Sequence, residues 1–203
     1  MLVPISEHRY VMWYADHGFP GVTRVPYLDE TLVERLRAAA VQVGRDGYEL
    51  LVMDGYRSPA AQRHLYDVTL ADLMASRGLS EDEAREAIRG FVAHPDRVYP
   101  HGTGGAVDLT LWRDGAEVWM GTGFDEFSEK AASDWYVKNP PQDDQERAAA
   151  SDRDALRRAM EQAGFVGLSS EWWHFEYGTQ RWGTVTGREP HLVAVVPPPD
   201  EAG

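Results

Sequence analysis

The chain has 203 residues, 33 acidic and 20 basic, for a formal net charge of −13. That length suits one ordinary domain with a real core, and the charge speaks against nucleic acid or an anionic membrane as partner, since either needs a basic surface. Cysteine is absent, which removes disulfides, thiolate ligands and a cysteine nucleophile together.

Residues 1–27 read as irregular structure or short extended pieces, rich in aromatics and punctuated by Gly18, Pro20, Gly21 and Pro26. "LDETLVERLRAAAVQVG" is an amphipathic helix: Leu28, Leu32, Val33, Leu36, Ala39 and Ala40 recur at three and four, and Gly44 closes it. "YELLVMDGYRS" is a buried strand running into a turn, followed by a helix with Pro59 in its first turn. "SEDEAREAIRGFV" is a third helix, with Ser80 and Glu83 forming a capping box. A loop, "HPDRVYPHGTGG", leads to the strand "AVDLTLW", and an Asp-Gly turn at 114 and 115 joins it to "AEVWMG" as a hairpin.

Residues 121–147 read mostly as loop, with Asp143, Asp144 and Glu146 solvated. A fourth helix is expected over "SDRDALRRAMEQAG", capped by Ser151 and ended by Gly164. "FVGLSSEWWHFEYG" holds the final strands, and the tail is expected to fray beyond Pro197. No repeat or linker divides the chain, so residues 1–203 are expected to form one domain. Strands in clusters separated by helices, without regular alternation, indicate an α+β domain with a largely antiparallel sheet. The amino terminus lacks a basic segment followed by an apolar run. No window approaches the roughly 18 apolar residues of a membrane span. A cytoplasmic protein is the resulting expectation.

Two stretches carry chemistry. In "PHGTGGAVDLTLW", His101 and Asp108 flank a glycine-rich corner; in "SSEWWHFEY", Glu171 and His174 stand among aromatics. Both pairs have odd spacing, which on a straight strand points side chains to opposite faces. Each pair can therefore share one site only if the backbone bends, and the glycines permit that at the first. Two imidazoles and one carboxylate are the protein ligands of a hydrolytic zinc site with one position open, and Glu171 is the natural base beside it. Arg57, at a strand end in "MDGYRSP", offers a guanidinium to stabilise an oxyanion. Taken singly, each residue has an ordinary reading: His101 a loop histidine, Asp108 a turn acid, Arg57 a surface ion-pair partner. His8, His17, His64, His94 and His191 lack a partner pattern and are read as structural.

Together, "DGYRS", "HGTGGAVDLTL" and "EWWHFEYG" resemble, in order and spacing, the D-alanyl-D-alanine dipeptidases of the vancomycin-resistance type, within the zinc D,D-peptidases. "WYADHGFPG" and "MGTGFDEFSEKA" look like further segments of that branch, so the resemblance spans roughly residues 9–178. It implies a helix-flanked antiparallel sheet of the Hedgehog and D,D-peptidase type. One zinc per chain would be held by His101, Asp108 and His174, with Glu171 as general acid/base and Arg57 polarising the scissile carbonyl. Asp125 would bind the substrate ammonium, with Tyr14 contributing. The serine usual two residues before the first ligand histidine is Tyr99 here, where the family binds the substrate carboxylate. A tyrosine keeps one hydroxyl donor but is far larger, so it shrinks that pocket or redirects the carboxylate. His17 and Gly18 likewise stand where the family has Asp-Asn.

The resemblance implies a cytosolic enzyme that hydrolyses a free D,D-dipeptide, and it leaves the oligomeric state open. A D,D-carboxypeptidase or endopeptidase acting on peptidoglycan stems would share the metal site but need a pocket open to a longer chain. A non-catalytic binding module on the same scaffold would have no use for Glu171.

Overall fold

The computed structural model describes residues 1–90 and 92–199. Among these, β1 (Leu2–Pro4) pairs antiparallel with β3 (Tyr27–Asp29), apart from the main sheet. Between them lie β2 (Arg9–Tyr10) and the short helix α1 (Trp13–Asp16). The main sheet has six strands. Its order is β2, β4 (Glu49–Asp54), β5 (Ala106–Arg113), β8 (Glu171–Glu176) and β7 (Val166–Leu168), with β6 (Ala116–Glu117) paired to β5. Only the β2–β4 pairing is parallel in this sheet, so the α+β, largely antiparallel expectation holds.

The helices follow their local chemistry. In α2 (Glu30–Gly44) the Asp29 side chain accepts from the Thr31 amide, and Leu32, Leu36, Ala39 and Val43 are buried on one face. That face packs on α6 (Asp144–Gln162) and β4. Each fully buried leucine there contributes roughly 1.5–3 kcal/mol. Ser58 caps α3 (Pro59–Arg77), with Pro59 in the first turn and Gly78 in the left-handed conformation after the last. The Ser80–Glu83 capping box opens α4 (Glu81–Ile88). That helix ends at Ile88, short of the expected Val92; Phe91, which the expectation included, lies outside the described residues.

Further expectations need correction. The fourth long helix starts at Asp144 rather than beside Ser151, because Asp143 caps it by accepting from the Glu146 amide. Glu146 is therefore not a solvated loop acid: it pairs with Lys130 at 2.9 Å. The strand after the Asp114–Gly115 turn stops at Glu117 rather than Gly121. A helix the sequence reading did not anticipate, α7 (Gln180–Thr186), follows β8, with Thr179 accepting from the Trp182 amide at its start. A short helix, α5 (Trp135–Lys138), also interrupts the expected 121–147 loop. The end of the chain is tied as far as Val196, whose amide donates to Gly102 and whose carbonyl accepts from Tyr56. Of the tail expected to fray, 197–199 has no regular structure and 200–203 lies outside the described residues.

Candidate metal and catalytic site

Three neighbouring strands set the site. Register places Asp54 of β4 opposite Asp108 of β5, and Asp108 opposite His174 of β8. Directly opposed residues share a face, so these side chains gather on one side of the sheet. Glu176, two residues beyond His174 on β8, falls on that face by alternation.

Both bends demanded by the odd spacings are present. His101 lies in a 3₁₀ turn, Pro100–Thr103, which ends at Gly104 with φ +74. A Cβ at Gly104 would meet the Leu2 side chain at 2.5 Å, and one at Gly102 the Tyr99 ring at 2.5 Å. Both glycines are thus required by close packing. On β8 the pairing to β7 shifts between Gly167 opposite Phe175 and Leu168 opposite Glu171. That irregularity lets Glu171 and His174 line the same cavity despite their spacing.

Ligand atoms of His101, Asp108 and His174 lie within 4.8 Å of one another. His101 Nδ1 lies 2.7 Å from the Gly55 carbonyl, and His174 Nε2 lies 3.1 Å from Glu176 Oε1. Both contacts need the imidazole to donate, which leaves His101 Nε2 and His174 Nδ1 as lone pairs. Those two nitrogens face each other at 3.2 Å and approach Asp108 at 3.3 and 2.9 Å. Three acceptors aimed at one point repel unless a positive charge sits among them. The donor set, two imidazoles and one carboxylate with their outer atoms already held, fits a divalent metal.

The electrostatics agree. Burial works against charge on Asp108, but His101 and His174 outweigh it and hold the carboxyl well below the usual range. Burial likewise disfavours a charged His174, yet Asp108 and Glu176 raise the imidazole to about 10. The trio attracts a cation or, failing one, a proton.

Around it runs a cavity of about 220 Å³, at the small end for ligand pockets. Tyr14, Arg57, Tyr99, Asp125 and Glu171 all line it, so every sequence-predicted site residue comes to this one place. Burial pushes the Glu171 carboxyl up to about 8 and that of Asp125 up to about 6. Asp125 holds a left-handed backbone, φ 60, rare outside glycine. Arg57 donates through Nε and Nη2 to Asp54, through Nη1 to Gln62 and through Nη2 to Tyr14. One Nη1 hydrogen is left over. Tyr99 presents its ring to the cavity, while its hydroxyl donates to the Arg57 carbonyl at 3.1 Å.

Sequence reasoning missed Asp54, Gln62 and Glu176. Asp54 carries the Arg57 charge, and Gln62 links Arg57 to the Ala93 carbonyl at 2.7 Å. Glu176 orients His174 while accepting from the Thr179 hydroxyl. The i, i+2 relation of His174 and Glu176 was a usable signal; nothing local marked Gln62. His191, read as structural, does pack against Tyr177 and Trp182.

Known proteins share this fold. A vancomycin-resistance D,D-pentapeptidase VanY mutant in complex with Zn(II) superposes with a TM-score of 0.50 at 20% identity, covering 77% of this chain and 75% of that one. VanYB in complex with D-alanine-D-alanine superposes equally, at 20% identity and a TM-score of 0.50, over 83% and 82% of the two chains. The fold is thus that of the D,D-peptidases. The family model described as D-ala-D-ala dipeptidase matches residues 7–191, and the D-alanyl-D-alanine dipeptidase of Synechocystis sp. is 34% identical over 189 residues, 83% of this chain and 76% of the relative. The chain belongs to the D-ala-D-ala dipeptidase family.

Proposed function

We propose that the protein hydrolyses the peptide bond of a small free dipeptide, D-alanyl-D-alanine or a close relative, with one zinc ion held by His101, Asp108 and His174. The observation that carries this reading is the convergence of three lone-pair donors, 2.9 to 3.3 Å apart, beside a raised, cavity-lining glutamate. When bound, zinc supplies Lewis acidity and brings the pKa of its water to about 7.

The chain's own residues do the rest. Glu171 takes the proton of the attacking water and hands it to the leaving amine. Its raised pKa suits both halves of that cycle, since a base near neutrality gives up its proton as readily as it takes it. Arg57, fixed by Asp54, Gln62 and Tyr14, directs its remaining Nη1 hydrogen toward the charge developing on the carbonyl oxygen. Asp125 neutralises the free ammonium of the substrate, aided by Tyr14. Tyr99 walls the far side and restricts the second residue to a small side chain. A buried acid for the amino terminus and a cavity of about 220 Å³ favour a free dipeptide over a longer stem. A cytoplasmic setting suits that substrate, because the dipeptide precursor of peptidoglycan is made there. Among the described residues no helix is long and apolar enough to cross a membrane.

The test is a panel of D,D-, L,D- and L,L-dipeptides beside a pentapeptide stem, with bound zinc quantified. Cleavage of free D-alanyl-D-alanine with about one zinc per chain is the expected result. Cleavage of the stem alone would reassign the protein to the carboxypeptidases.

A further inference from the structure

The loop that carries Asp125 has little structure of its own. Between Met120 and Ala132 the backbone forms one 3₁₀ turn, Glu129–Ala131, and Asp125 lies ahead of that turn with a left-handed φ of 60. Such a conformation persists only where the surroundings impose it.

Beside Asp125, the Phe124 ring packs on Trp13, Tyr14 and Trp173; the base of the loop is tied from α6. Arg153 donates through Nε to the Met120 carbonyl at 2.6 Å, and through Nη1 to the carbonyls of Lys130 and Ala132 at 2.9 and 3.2 Å. These acceptors stand at the two ends of the loop, so one guanidinium closes its base. Arg153 is 6% exposed and makes no ion pair among the described residues. Burial lowers its pKa to about 10. A buried cation without a contacting acid is costly. Here carbonyl dipoles, the rings of Tyr136 and Trp172, 5.0 and 5.6 Å from the guanidinium carbon, and the charge of Glu126 beyond ion-pair distance offset part of the loss of water. Nη2 finds no hydrogen-bond partner among the described residues. Lysine, with a single ammonium, cannot span the same three carbonyls.

Further bonds fasten this loop to the catalytic strand. Trp172 Nε1 donates to the Thr122 hydroxyl at 2.8 Å, and the Ser133 hydroxyl contacts the carbonyls of Leu168 and Glu171. The loop and β8 are thus clamped side by side, with Asp125 and Glu171 facing one cavity.

We propose that Arg153 is a positioning residue for substrate binding: by closing the base of the 120–132 loop it holds Asp125 at the cavity wall. This rests on the reading of Asp125 as the ammonium site of a free dipeptide. Arg153 touches neither substrate nor metal and acts through Asp125.

The experiment is a two-by-two set on the zinc-loaded enzyme: wild type, Arg153→Lys, Asp125→Asn and the double variant, with KM and kcat for D-alanyl-D-alanine and bound zinc measured. Arg153→Lys is expected to raise KM about tenfold with kcat and zinc little changed. In the Asp125→Asn background the same substitution is expected to add nothing further. An unchanged KM in Arg153→Lys, or an equal further rise in the double variant, overturns the proposal. Should Arg153→Lys fail to fold, Trp172→Phe, which releases Thr122 on the same loop, is read against Asp125→Asn in the same way. Failure of the functional reading looks different: wild type then leaves every free dipeptide intact, and the role of Asp125 falls with that of Arg153.

Discussion

Arg57 and Arg153 are both buried, and their surroundings could hardly differ more. Arg57 lies on the sheet side of the cavity, 2.7 Å from Asp54 and 3.6 Å from Asp108. Burial works against its charge there, but Tyr14 and the carboxylates of Asp54, Asp108 and Asp125 hold it above its ordinary value. Arg153 lies on the loop side, where carbonyls and rings take the contacts that acids hold around Arg57, and burial prevails over the attraction of Tyr136 and Glu126. The contrast separates two uses of a buried guanidinium. On the sheet side it is a fixed charge embedded in an ionic network beside the candidate metal ligand Asp108. On the loop side it is a three-way tie for backbone that has no ladder of its own.

The difference can be probed from the sheet side outward. The largest effect belongs to the cavity between them: Glu171→Ala is expected to lower kcat by about 10³-fold or more while bound metal stays near one per chain. Loss of metal in that variant would make Glu171 a ligand and upset the division of roles. Next, Arg57→Ala should cost about 10² to 10³ in kcat with metal retained. It leaves Asp54 buried without its partner, so unfolding should also ease by roughly 3–5 kcal/mol. A normal turnover number in this variant would remove Arg57 from the chemistry and make it a second structural tie.

Glu176→Gln tests the outer support of the metal corner. The amide cannot accept the His174 proton with a full charge, and metal affinity is expected to fall about 10- to 100-fold, measured by chelator competition. The smallest effect concerns stability on the loop side. Burial raises the folded-state pKa of Asp125 to about 6, above its ordinary value. Folding therefore favours the protonated acid, and the stability this lends is complete below the ordinary range and lost as pH rises through about 6. In the metal-free protein, Asp125→Asn should accordingly be more stable than wild type by roughly 1–3 kcal/mol near neutral pH, with no gain near pH 4. Urea unfolding at the two pH values measures it, and an equal gain at both would mean that the benefit has nothing to do with titration.

How far the sequence revealed this architecture follows the same divide. On the sheet side, strand periodicity and a glycine corner were legible, so His101, Asp108, Glu171 and His174 could be read as one constellation. The partners that orient them were not. Asp54 lies where the strand runs into its turn and Gln62 on α3, and neither is marked locally, because their roles exist only once β4, α3 and the 3₁₀ turn at Pro100–Thr103 meet. On the loop side almost nothing was legible. The first two turns of α6 bury only Ala149 and the next buried positions are Asp152 and Arg153, a pattern without apolar periodicity, so the helix start was placed too late. Nothing local marks Arg153 within that helix. The helix α7 is short and contains Gly183, which weakens any helical signal.

The register that sets Asp54, Asp108 and His174 abreast has a consequence for the history of the chain as well as its chemistry. A slip of one residue between β5 and β8 would turn Asp108 and His174 to opposite faces and scatter the constellation. Mispaired sheets of this sequence are therefore inert as well as unstable, and selection for activity doubles as proofreading of strand alignment.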